Sequence, residues 1–487
     1  MMLPGRARTG YKSVAYAAMD APHHCNSWKP VGCASCNTMG RFLPLVLVAV
    51  VIFPLLMPAP LVLSAAVRPP VKINSAQAKK ISDYFKKQAF DFLKDHALDV
   101  IPNVLSTPEG QKQGTKAADT AGLYVFNLSV GTSILQNITG ILDITTELVW
   151  AQCACSADAC LPPPGTTFDP STSDTFAGVP CISQRCQSVI KQQCGPDPAA
   201  NCTYLMQYDD YTNTTGYLGN DTFTFGQTQF PDVVFGCSKA SYGDFFGASG
   251  VLGFSRGSLS LVSQLQLSWF SYLLVSDGPS PLQFGYDAVP QTENSHSTPL
   301  LNNDANPGLY YVKLTGIMID GRQLNGIPAG TFDIQSNGSG GVFLSTTVPV
   351  TYLDEAAYNV VRKAFVSRIT AEAVDGSALG LDLCYTLQPK DEMVVPKLTL
   401  VFDGTNAAME LKKYNYFFAD NNTNLECLTI LPSRGGSLLG SLLQTDTNMA
   451  YDIEGSRLIF ETASAPTPDL KVSLMVVVQF LALALLF

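Results

Sequence analysis

The feature that most constrains this chain is an internal duplication. Ile141-Leu142-Asp143-Ile144-Thr145-Thr146 and Phe343-Leu344-Ser345-Thr346-Thr347-Val348 are each a short apolar run passing into a polar turn. Each has a companion downstream. Gly250-Val251-Leu252-Gly253-Phe254 follows the first and Ser437-Leu438-Leu439-Gly440-Ser441 the second, both of them apolar pairs closed by glycine. A duplicated half of this kind predicts two lobes related by a pseudo-twofold axis, with a cleft between them. From about Leu123 to Phe460, short apolar or alternating runs are punctuated by Gly, Asn and Asp, as in Leu123 to Phe126, Asp221 to Phe225 and Tyr310 to Leu314. This predicts a mostly β body. Its better helical patterns lie near Leu259 to Leu265 and Ala356 to Ile369.

The totals narrow the function. With 46% apolar and 14% charged residues in 487, most of the chain is expected to be folded and well buried. A formal charge of −10 argues against a nucleic-acid partner, since phosphate binding relies on clustered Lys and Arg. Four histidines leave little material for a histidine-based triad or a His-rich metal site.

Thirteen cysteines are unevenly placed: Cys25, Cys33 and Cys36 precede the first apolar run and ten follow it. Cys153, Cys155, Cys160, Cys181, Cys186, Cys194 and Cys202 fall within fifty residues, and Cys237, Cys384 and Cys427 lie further on. Such density means either a disulfide-rich insertion or a metal cluster. The spacings lack the paired pattern of metal sites and no histidines assist, so disulfides are expected and no metal, with the connectivity left open.

The ends point to secretion. Phe42 to Ala66 is apolar, broken by Pro44, Pro54, Pro58 and Pro60, and closes on Ser64-Ala65-Ala66, as a signal peptide does. Met39-Gly40-Arg41 would supply its basic start, making residues 1–38 an extra or untranslated extension and 39–66 the signal. Residues 67–120 hold a Lys-rich helical stretch, Ala76 to Leu98, and a polar linker from Thr107 to Gly114, together resembling a propeptide. The body divides into lobes at 121–300 and 301–462. Residues 463–487 run from small to polar to a fifteen-residue apolar tail, Ser473 to Phe487. That order suits a lipid-anchor signal, and the tail is shorter than the roughly 20 residues a spanning helix needs. Seven Asn-x-Ser/Thr sites, at Asn127, Asn137, Asn201, Asn213, Asn220, Asn337 and Asn421, add glycosylation to the expectation of an extracellular or cell-surface protein.

Over roughly Tyr124 to Phe460 the chain resembles the pepsin-like aspartic peptidases, in their plant nepenthesin-like branch. The landmarks run in order: Asp143 to Cys153, Phe168-Asp169-Pro170-Ser171, the cysteine-rich insertion, Phe235-Gly236-Cys237 and Gly250 to Gly253. Phe270-Ser271-Tyr272, Phe284-Gly285, Tyr310-Tyr311-Val312, Val350 to Leu353, Asp382 to Tyr385 and Leu438-Leu439-Gly440 follow. The resemblance implies an all-β, bilobal pepsin-like fold without a cofactor, in which two aspartates share one proton and activate a water. Each aspartate of the family sits in an Asp-Thr/Ser-Gly-Ser/Thr turn. Here the first turn keeps Asp143 but puts Ile144 for Thr and Thr145 for Gly, and in the second Ser345 takes the aspartate's place. Asp333, Asp354 and Glu355 are remote from that turn in sequence.

The flap that covers a substrate aligns with Tyr208 to Thr212. Tyr208 is kept for substrate contact, whereas Asp210 and Tyr211 replace a Gly-rich tip. Trp150 reads as core rather than contact, and Leu273 stands where the family carries a cysteine.

The resemblance therefore implies a monomeric secreted protein, non-catalytic, that binds a peptide or extracellular protein, as the family's xylanase-inhibitor relatives do. The alternatives are an atypical endopeptidase working through Asp143 alone and a decayed gene copy.

Overall fold

The computed structural model describes residues 62–64 and most of 124–462, leaving outside it 155–166, 190–191, 209–211, 276–279, 291–294, 389–392, 405–406, Asp244 and Phe246. The extension, the propeptide-like segment, the tail and Cys155 and Cys160 all lie outside the described residues. So does the predicted signal, except for Val62–Ser64, which pairs antiparallel with the edge strand Pro281–Phe284.

The duplication is a structural repeat. In the first half, Gly250–Gly253 lies between two strands: it runs parallel to Gln136–Asp143, with Val251 opposite Ile141, and antiparallel to Trp150–Gln152, with Val251 opposite Trp150. In the second, Ser437–Leu439 runs parallel to Val342–Leu344, with Phe343 opposite Leu438, and antiparallel to Thr351–Asp354, with Tyr352 opposite Leu438. The closing glycines have a steric reason. A Cβ on Gly253 would meet the Glu147 carbonyl oxygen at 2.5 Å, and one on Gly440 would meet the Pro349 and Val350 carbonyl oxygens at 2.4 Å. Only glycine lets these backbones come so close.

Around the first repeat a nine-stranded sheet extends through the long strands Thr228–Tyr242 and Asn213–Phe225 to Thr203–Gln207. The second repeat belongs to an eleven-stranded sheet that also joins the halves, because Trp269–Leu273 pairs antiparallel with Thr447–Asp452 near the end of the chain. The core is aromatic at this junction. Phe270 stacks on Tyr451 with ring centroids 4.5 Å apart, and Tyr310 meets Tyr451 edge-on at 4.7 Å.

The helical patterns appear shorter than the sequence suggests. One becomes the single turn Leu261–Gln264 and the other Glu355–Val366, which starts where the Asp354 side chain accepts the Ala356 amide at 2.9 Å. Its buried face is Ala357, Tyr358, Val361, Ala364 and Phe365, a stripe at helical spacing. The Phe168-Asp169-Pro170-Ser171 landmark is a capped turn. Asp169 accepts the Ser171 amide at 3.0 Å, and its own amide donates to Gln136 at 2.7 Å. Beyond it, buried Asp221 accepts from the Ser173 hydroxyl and its neighbouring Thr222 amide, each at 2.7 Å, which satisfies polar atoms that would be costly to bury unpaired.

Candidate active site

Asp143 ends its strand and Ser345 follows the strand Val342–Leu344 directly. Both are held by the parallel partner: Asp143 is in register with Gly253, and the Ser345 amide donates to the Leu439 carbonyl at 3.1 Å. Trp150 stands seven positions after Asp143, and Tyr352 seven positions after Ser345. Ser345 is thus the pseudo-twofold mate of Asp143.

The turns clasp each other through one side chain. The Thr346 hydroxyl donates to the Leu142 carbonyl at 2.7 Å and accepts the Ile144 amide at 3.3 Å. The opposite position is Ile144, which has no hydroxyl to return and is fully buried in the core.

Asp143 is 3% exposed and Ser345 1%. One carboxylate oxygen of Asp143 accepts the Thr145 amide at 2.8 Å and the Thr145 hydroxyl at 2.6 Å, and the other accepts the Thr146 hydroxyl at 3.0 Å. Burial pushes the Asp143 carboxyl above its ordinary pKa, and the hydrogen bonds from Thr145 and Thr146 offset only part of that rise. Ser345 Oγ accepts the amides of Thr347 at 3.3 Å and Val348 at 3.2 Å, and lies 3.3 Å from Thr347 Oγ1.

Beneath the turns, each carbonyl is fixed from the opposite side. Phe254 donates its amide to Asp143 O at 2.7 Å, and its carbonyl accepts from Tyr310 OH at 2.8 Å. Gln444 donates to Ser345 O at 2.8 Å while accepting from Tyr272 OH at 2.5 Å, and Tyr272 OH lies 2.9 Å from Tyr451 OH. Gln444 and Tyr451 have no motif to reveal them in the sequence, and the Phe270-Ser271-Tyr272 landmark does not by itself show this contact.

At the flap, Trp150 Nε1 donates to Tyr208 OH at 2.7 Å, and Phe245 packs edge-on against both rings. Trp150 is core, 2% exposed, and its ring nitrogen anchors the flap tyrosine. Asp209, Asp210 and Tyr211 lie outside the described residues.

The other acids have different duties. Asp354 caps its helix, Glu355 pairs with Arg434 at 3.3 Å, and Asp333 is exposed beside a cavity of about 330 Å³ whose walls include neither Asp143 nor Ser345. Glu147, which sequence reasoning passed over, lies near the first turn with its carboxylate beside Gly257 and 3.5 Å from the Leu259 amide. Partial burial raises its pKa.

Among the described residues four disulfides join Cys153 to Cys237, Cys181 to Cys194, Cys186 to Cys202 and Cys384 to Cys427. The sulfurs of Cys181, Cys186 and Cys194 lie within 4.8 Å of one another, but each is already bonded to another sulfur. Leu273 sits in register with Asn448, so no disulfide forms there. Of the Asn-x-Ser/Thr sites, Asn127, Asn137, Asn201, Asn337 and Asn421 are exposed and Asn213 and Asn220 half-buried, so none is sealed in the core. Among the described residues no helix is long and apolar enough to cross a membrane.

Comparison with known proteins gives this geometry its context. Residues 124–286 match the family described as xylanase inhibitor N-terminal, and residues 309–462 match xylanase inhibitor C-terminal. The chain is 34% identical to aspartic proteinase nepenthesin-2 of Nepenthes gracilis over 365 residues, covering 73% of this chain and 81% of that protein. It is 32% identical to aspartyl protease family protein 2 of Arabidopsis thaliana, covering 73% and 72%. Among solved structures, basic 7S globulin from soybean superposes with a TM-score of 0.56 at 18% identity, over 71% of this chain and 95% of that one. The structure of edgp gives the same TM-score at 19% identity, over 71% and 92%. Two β lobes meeting at a paired turn define an aspartic-proteinase architecture. This chain belongs to the pepsin-like aspartic proteinases, in the plant nepenthesin-like branch.

Proposed function

We propose that this protein is a non-catalytic member of its family: a secreted, disulfide-bonded glycoprotein, with a lipid-anchor signal at its C-terminus, that holds a peptide or an extracellular protein in the cleft. The observation that carries this reading is Ser345 in the place of the mate of Asp143. Peptide hydrolysis in this family needs one carboxylate to take a proton from water while its partner donates one to the peptide carbonyl. A serine hydroxyl cannot share that proton, and Asp354 and Glu355 are engaged elsewhere. The match to xylanase-inhibitor domains supports binding as a use of this architecture, without identifying the ligand.

The second reading is an atypical endopeptidase acting through Asp143, favoured by its raised pKa and by the Trp150–Tyr208 flap anchor. The deciding experiment is cleavage of an unfolded polypeptide by the full secreted protein across acidic pH, beside Asp143→Ala. Silence in both proteins supports a binding role. Turnover that is lost in Asp143→Ala overturns it and establishes the endopeptidase.

A further inference from the structure

Both turns depart from the family pattern at a second matched pair of positions, where Thr145 and Thr347 replace glycine. Their side chains turn back onto the residues at the centre. A carboxylate offers about four acceptor positions, two on each oxygen. Thr145 takes both positions on one oxygen of Asp143, through its amide and its hydroxyl, and the Thr146 hydroxyl takes one on the other. One acceptor position of the carboxylate, on the oxygen that Thr146 contacts, is left.

The second turn is occupied in a similar way. A serine oxygen has two lone pairs and one proton. The amides of Thr347 and Val348 engage the lone pairs of Ser345, and Thr347 Oγ1 lies within reach of its proton. A general base must accept a hydrogen bond from the water it activates. Glycine at position 145 would leave one position open on the Asp143 oxygen, whereas threonine occupies it from within the chain.

We infer that the hydroxyls of Thr145 and Thr347 occupy hydrogen-bonding positions that a hydrolytic water would use, so that the centre holds such a water, and any ligand hydroxyl that mimics it, less well than a centre with glycine at both places. This rests on the non-catalytic reading and extends it: restoring the lost aspartate does not by itself restore an enzyme. A peptide with a hydroxymethylene group in place of its scissile amide gains little from that hydroxyl here.

The test compares three full-length secreted proteins: wild type, Ser345→Asp, and Ser345→Asp/Thr145→Gly/Thr347→Gly. Intact disulfides and a cooperative thermal transition establish that each is folded. Polypeptide cleavage between about pH 3 and pH 5, around the ordinary carboxylate range, is read beside binding of a hydroxymethylene peptide by calorimetry. The triple variant is expected to cleave at least about 100-fold faster than Ser345→Asp, the scale of a working general base, and to bind the peptide at least about 10-fold more tightly. Cleavage by Ser345→Asp within about 10-fold of the triple variant, with wild type silent, overturns this inference and leaves the non-catalytic reading standing. So does a folded triple variant that neither cleaves faster nor binds more tightly than Ser345→Asp. Turnover by the wild type, lost in Asp143→Ala, overturns both.

Discussion

Thr346 reaches across the lobe boundary to Ile144, taking its amide proton at 3.3 Å while donating to the carbonyl before Asp143 at 2.7 Å. A single hydroxyl thus ties the two turns together, with no reciprocal hydroxyl from Ile144. Thr346→Val keeps the shape and removes both bonds, leaving a buried amide and carbonyl without this partner. A loss of about 1–3 kcal/mol is expected, read as a lower urea midpoint with an unchanged slope.

Asp143 gives the protein a particular pH dependence. Burial raises its folded pKa above the unfolded value, so the folded state holds the proton over a range where the unfolded chain has released it. Its contribution to stability is complete below the unfolded carboxylate value, near 3.9, and is lost as pH rises through the folded value. Asp143→Asn, which cannot ionise, is expected to gain thermal stability relative to wild type as pH rises from about 4 towards 7. The gap should close on acidification. A difference independent of pH in melting curves would count against the raised pKa.

The flap anchor is testable without any ligand. Tyr208→Phe removes the hydroxyl that receives the Trp150 ring proton and leaves the buried Nε1 donor unpaired. About 1–3 kcal/mol should be lost, and faster amide exchange around Tyr208 should accompany it. Trp150→Phe removes donor and ring bulk together and should cost more through the cavity it leaves.

The insertion depends on its cross-links. Cys181–Cys194 and Cys186–Cys202 span 13 and 16 residues, and their sulfurs approach to 3.6 Å between Cys186 and Cys194. Removing one bond as Cys186→Ser/Cys202→Ser is expected to cost about 2–5 kcal/mol in thermal or denaturant unfolding. Secretion yield should fall with it.

The duplicated strands were legible in the sequence because their demands are local: apolar pairs that must be buried and a glycine where another backbone passes. The replacements at Ser345 and Thr145 were equally plain, since each stands in a short turn. What sequence could not show is what arrives from far along the chain. Gln444 lies 99 residues from the Ser345 carbonyl it supports, and Trp150 lies 58 from Tyr208, so no spacing pattern advertises either contact. The cysteine pairing was hidden for the same reason. Glu147 was missed because the Leu259 amide it meets is 112 residues away.

Gly253 and Gly440 bear on how such a protein can change over generations. A side chain at either position collides with a backbone carbonyl, so substitution there threatens folding itself. Ser345, Thr145 and Thr347 carry no such steric veto, and their side chains find partners within their own turns. Mutation can therefore erase the chemistry of this architecture while leaving its shape available for selection to use again.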